Sequence, residues 1–164
     1  TIASVDSDLG IHPGLMGERL LRACPDLMGF EHDVAVVDLI PGMRVTRLET
    51  MLTPLPEAVI LRAFGVGNVP SRDPGLVNLL AAAVEAGTAV VVVSQCHHGE
   101  VRLGRYAAGD ALARAGAVGG ADMTPEAAYA KAVFLLSQGL RGAELAAWMG
   151  RSIAGELDDG PGGA

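Results

Sequence analysis

The chain has 164 residues, half of them apolar, which is enough for one domain with a substantial core and too short for two comfortable ones. A formal net charge of −7 argues against nucleic acid or an anionic membrane as the main partner, because each needs a basic face. No run approaches the roughly 18 uncharged apolar residues of a membrane span, and no signal peptide is expected from the opening residues. Cys24 and Cys96, far apart in sequence, match no zinc-ligand spacing and read as free thiols in a reducing compartment, so a cytoplasmic location is expected.

In chain order, Thr1-Ile2-Ala3-Ser4 is a mildly β-prone opening run, followed by a polar turn from Val5 to Gly10, as though the chain were entered midway through a strand-and-loop unit. Pro13 leads into a helical pattern with Leu15, Met16, Leu20, Leu21 and Cys24 on one stripe, stopped before Pro25. Val34 to Leu39 reads as a short buried strand turned by Pro41-Gly42. The next helix has Val45, Leu48, Met51 and Leu52 as its apolar face, and Thr46 with Glu49 three residues on predicts a capping box. Pro54 and Pro56 end it.

The stretch from Glu57 to Gly99 is the organising unit. The apolar run Ala58-Val59-Ile60-Leu61 breaks into Gly65-Val66-Gly67-Asn68-Val69-Pro70, a helix follows from about Pro74 to Ala86, and a β-branched run covers Thr88 to Val93. Short apolar runs without alternation suit strands buried on both faces, and the intervening helix makes a βαβ unit with a parallel pair. Asp73 can cap that helix, Gly87 stops it, and Leu76, Leu79, Leu80, Ala83 and Val84 form its buried stripe. Beyond it, Tyr106 to Ala115 reads as a helix, Val118 as a short edge strand, and Gly119 to Thr124 as a tight loop. Thr124 caps a helix buried through Ala128, Ala132, Val133, Leu135 and Leu136 and broken at Gly139. A last helix, Gly142 to Met149, carries Leu145 and Trp148, and the Gly-rich tail from Asp158 is expected to be disordered. The fold class that follows is α/β, a parallel sheet of about four strands flanked by helices.

Ligands of such sheets sit beyond the carboxyl ends of the strands, where Gly65 to Asn68 and Ser94 to Gly99 fall. On residue chemistry alone, Asn68 suits a left-handed turn, Arg62 either offers a fork to a carboxylate ligand or pairs with a local acid, and Cys96 suits a small core position. Asp122 and Thr124 form a helix N-cap pair. Adjacent side chains on an extended segment point to opposite sides, so Cys96, His97 and His98 do not predict a metal site.

Six marks in order carry a resemblance: Ile40-Pro41-Gly42-Met43, Leu61 to Pro70, Ser94-Gln95-Cys96, Gly104-Arg105-Tyr106, Gly119 to Thr124, and Gly155-Glu156-Leu157. From about Val34 to Leu157 the chain resembles the smaller C-terminal domain of the asparaginase/glutaminase family, in its cytoplasmic bacterial type I branch. Thr1-Ile2-Ala3-Ser4 is similar to the family's nucleophile motif entered at its second threonine. The resemblance implies residues 1–33 as a remnant of the N-terminal catalytic region, 34–157 as the C-terminal-like domain and 158–164 as a flexible tail.

The implied reaction is hydrolysis of L-asparagine to L-aspartate and ammonia, without metal or organic cofactor, in a homodimer or homotetramer. It would make Thr1 the nucleophile, give Asn68 the task of holding the substrate's α-amino group across the dimer, place Tyr106 near the partner's site, and put Arg62 and Cys96 at a second, effector-binding site. The sequence departs from the family in having no Thr-Asp pair and a single lysine, Lys131. Most of a catalytic domain, expected between the Pro25 region and Val34, is therefore absent from the chain. Two alternatives are carried: a non-catalytic asparagine-sensing and oligomerisation module, which the departure favours if the chain is complete, and the ammonia-releasing component of a tRNA-dependent amidotransferase, for which the sequence offers no basic support.

Overall fold

Runs such as Ala58–Ala63 and Ala89–Ser94 have no polar face to show to water, so they must be covered on both sides. A computed structural model, which describes residues 3–5, 11–13, 31–69, 74–96, 99–103 and 107–158, shows how this is done. Strands β1 (Ala3–Val5) and β2 (Ile11–Pro13) pair antiparallel as a separate two-stranded sheet. The main sheet contains β3 (Val34–Asp38), β4 (Ala58–Ala63), β5 (Ala89–Ser94) and β6 (Val118–Gly119), in that spatial order and parallel throughout.

The sheet is crossed by α1 (Val45–Met51), α2 (Pro74–Glu85) and α3 (Ala107–Arg114), and followed by α4 (Pro125–Ser137) and α5 (Gly142–Met149). The two-residue period of the strands sorts the side chains. Val59, Leu61, Ala63, Val90 and Val92 pack in one cluster with Leu48 and Leu52 of the α1 region, Leu76 and Leu80 of α2, and Leu112 of α3. Ala58, Ile60, Ala89, Val91 and Val93 pack in another with Ala128, Ala132 and Leu136 of α4 and Leu145 and Met149 of α5. The result is the expected α/β fold, a four-stranded parallel sheet between two helical layers.

Several local expectations are corrected. The capping box does not form, because α1 starts one residue before Thr46; its N-cap is Arg44, with no side-chain cap bond. The Thr50 hydroxyl instead donates to Thr46 O at 2.9 Å. Met51 and Trp148 are exposed rather than on the buried stripes of their helices, and Trp148 lies beneath the Arg151 guanidinium at 5.5 Å. Thr124 caps α4 by accepting from Ala127 N at 3.2 Å, whereas Asp122 accepts from Asp158 N at 2.7 Å. The stripe from Leu15 to Cys24, the Asp73 cap and residues 159–164 lie outside the described residues.

Two clasps close the domain. Lys131 of α4, 4% exposed, pairs with Glu156 at 2.5 Å and donates to Met149 O and Arg151 O. Glu156 also accepts from the backbone N–H of Ile153 and Ala154, which seats the segment after α5 with Leu157 in the core. At the amino ends of the strands, Glu57 meets His32 Nδ1 at 3.0 Å, Arg141 Nε at 3.0 Å and Asp33 N at 3.1 Å.

Candidate functional site

At the carboxyl end of β4 the chain reverses within five residues. Asn68 N donates to Phe64 O at 2.8 Å, Phe64 N to Asn68 O at 3.0 Å, and Gly67 N to Phe64 O at 3.1 Å. The reversal needs left-handed backbone at Gly65 (φ +51°) and Gly67 (φ +103°). At Gly67 even a methyl would crowd its surroundings, since a Cβ would stand 2.9 Å from Val101 Cγ1. The glycines supply the positive φ that residue chemistry assigned to Asn68, and Asn68 itself does not adopt it. Its side chain is instead exposed beside the strand ends.

At the end of β5, two successive residues bond to the ends of the neighbouring strands. Ser94, 5% exposed, donates its hydroxyl to Gly65 O at 2.6 Å and accepts from Cys96 N at 2.9 Å. Gln95 N donates to Ala63 O at 2.9 Å, while its side-chain amide donates to Leu39 O at 2.6 Å and Arg62 O at 2.8 Å. The ends of β3, β4 and β5 are thereby tied together. Cys96 is a free, exposed thiol, not the core residue its size suggested.

Arg62 pairs with Asp38, its register partner on β3, through Nη1 at 2.8 and 3.0 Å from the two carboxylate oxygens. Both partners are substantially exposed, so the pair is worth about 0–1 kcal/mol. Arg62 Nε is buried without a hydrogen-bond partner. Arg62, Asn68 and Cys96 thus share one end of the sheet, with Ser94 and Gln95 between them; Thr1 and Tyr106 lie outside the described residues. Ser94 and Gln95 had no role in the sequence reading beyond their place in a motif, because their partners are 29 to 56 residues away.

The charges with shifted titration lie elsewhere. Burial acts to raise the pKa of Glu57, but the hydrogen bonds from His32 and Asp33 N and the charge of Arg141 outweigh it and hold the carboxyl below its ordinary value. Among the described residues no group of three or more His, Cys, Asp or Glu could hold a metal ion, and no helix is long and apolar enough to cross a membrane. An open groove of about 370 Å³ runs along β6; Val101 and Leu103 form one wall of it and back the Gly67 turn.

An open parallel sheet between helical layers, with its polar loops gathered at the carboxyl ends of the central strands, defines an open α/β domain, a class whose ligands sit at that end of the sheet. Residues 33–149 match the model of the glutaminase/asparaginase C-terminal domain, and the chain belongs to that family. It is 41% identical over 124 residues to L-asparaginase 1 of Escherichia coli K12, a match covering 76% of this chain and 36% of that protein. Its fold matches the crystal structure of L-asparaginase I from Vibrio cholerae with a TM-score of 0.72 and 44% identity, over 76% of this chain and 37% of that one. A glutamyl-tRNA(Gln) amidotransferase component from Methanobrevibacter smithii is 33% identical over 129 residues, 79% of this chain and 29% of that protein. The chain spans about a third of the length of these relatives.

Proposed function

We propose that the chain is the substrate-completing part of an L-asparaginase-type amidohydrolase, converting L-asparagine and water to L-aspartate and ammonia in a cytoplasmic homodimer or homotetramer without metal or organic cofactor. Residues 34–157 form the C-terminal-like domain, 1–33 carry the nucleophile motif and 158–164 are a tail. The observation that carries the reading is Asn68, exposed on a turn closed by the Phe64–Asn68 hydrogen bonds and anchored through Gly65 O to Ser94. Its side-chain carbonyl can accept from the ammonium group of an amino acid lying in the neighbouring protomer's site. The asparaginases among its relatives support the choice of substrate.

In this scheme the Thr1 hydroxyl attacks the side-chain amide carbon, ammonia leaves, and water hydrolyses the resulting ester. Tyr106 borders the partner's site. Arg62 and Cys96 contact an effector at the same end of the sheet, where Arg62 offers a guanidinium already oriented by Asp38. Lys131 does not serve as the proton acceptor, since it is buried and held by Glu156 and two carbonyls.

The lysine held by Glu156 and two backbone carbonyls favours a second reading as a non-catalytic asparagine-sensing and oligomerisation module. The amidotransferase reading is weaker, because a net charge of −7 offers no basic face to tRNA. Asparagine-dependent ammonia release by the purified full chain separates them. The amidohydrolase predicts turnover that falls by on the order of a thousandfold in Thr1→Ala and a KM raised about tenfold in Asn68→Ala. Saturable L-asparagine binding without turnover selects the module, and neither turnover nor binding overturns both.

A further inference from the structure

The Asn68 turn has little to fix its orientation from within. Two of its residues are glycines in left-handed conformations, and its hydrogen bonds run between its own two ends, Phe64 and Asn68, or from Gly67 back to Phe64. Such bonds close a turn without setting its direction against the sheet. The rest of the domain does that: Phe64 and Val69 seat the turn's two ends on the core, the side chains of Val101 and Leu103 stand against Gly67, and the Ser94 hydroxyl lies 2.6 Å from Gly65 O.

The Ser94 contact is closely fitted. The side chain is 5% exposed, and its oxygen both donates to Gly65 O and accepts from Cys96 N at 2.9 Å. It also lies so near Gly99 that a Cβ at that position would stand 2.1 Å from Ser94 Oγ. A buried hydroxyl with both roles filled holds one rotamer, so the carbonyl it grips has one place to be.

Resting on the amidohydrolase reading above, we propose that Ser94 is the positioning residue for Asn68, setting the substrate-completing amide at its working distance through the Gly65 carbonyl. Ser94 does not touch substrate in this scheme. Its removal takes away the side-chain partner of Gly65 O and Cys96 N and frees the turn to pivot at its two glycines.

The domain supplies its own control. At the other end of β5, Thr88, 3% exposed, makes the same kind of bond, from its hydroxyl to Pro56 O at 2.8 Å, far from the turn. Ser94→Ala and Thr88→Val, each made in the full chain, therefore remove comparable buried bonds. Ser94→Ala is expected to speed amide hydrogen exchange at Gly67 and Asn68 about tenfold or more. It is also expected to raise the KM for L-asparagine about tenfold while kcat changes less than about twofold, and to lose that KM effect in an Asn68→Ala background. Thr88→Val is expected to lower stability while leaving turn exchange and KM unchanged. Unchanged exchange at Gly67 and Asn68 in Ser94→Ala, or an equal KM rise in Thr88→Val, overturns the proposal. If the unsubstituted chain releases no ammonia, the functional reading fails, and the exchange rates alone decide whether Ser94 positions the turn.

Discussion

The chain's single lysine is a structural group. Lys131 and Glu156 are 4% and 17% exposed, and each has further backbone partners, so removing either strands a charge in a poorly hydrated place. Lys131→Met is expected to cost about 3 kcal/mol, read from urea unfolding. Burial acts to raise the Glu156 pKa, but the hydrogen bonds from Lys131 and Ala154 N and the charge of Lys131 outweigh it, and the carboxyl titrates below its ordinary 4.5. A folded-state value below the unfolded one means the stabilisation is complete above about pH 4.5 and is lost as pH falls through the folded value. Glu57 contributes with the same sign. Glu156→Gln should therefore be less stable than the parent at pH 7, and its stability should vary less as the pH is lowered below 4.5; an unchanged acid limb would remove Glu156 from the account.

Among the elements, the central β4–α2–β5 unit was the most legible, because its strands are continuous apolar runs and its helix has clear punctuation. Leu80 of α2 is fully buried, so Leu80→Ala should cost about 2–5 kcal/mol, whereas Trp148→Ala on the outer face of α5 should cost less than about 1 kcal/mol; thermal unfolding of the two variants tests the difference. The bounds of α5, Gly142 to Met149, were also readable in the sequence, but its orientation was not. Its buried residues are Leu145, Ala146 and Met149, and that choice is set by where the helix meets the sheet, which turns the large apolar Trp148 outward. Met51 misled for the same reason on a helix of only seven residues. At the site, Arg62 and Asn68 could be placed at a strand end from local pattern alone. The groups that hold that end together could not, since Ser94 to Gly65 and Gln95 to Leu39 are contacts across the sheet with no local signature.

At the scale of the whole molecule, six ordered motifs named the family, whose C-terminal-domain model matches residues 33–149. The motifs converge because the parallel sheet brings the ends of β3, β4 and β5 to one side, where Gln95 donates to Leu39 O and Arg62 O and Ser94 donates to Gly65 O. The opposite end carries the His32–Glu57–Arg141 clasp. In the proposed function the first of these ends binds ligand, and the central claim is that it meets an amide amino acid. The most direct measurement is a titration of the full chain with L-asparagine, followed at the backbone and side-chain amides of residues 64–68 and 94–96 by NMR. The account predicts saturable shifts centred on Asn68 that disappear in Asn68→Ala. Saturation with those amides unmoved, or no saturable shift at all, would contradict it.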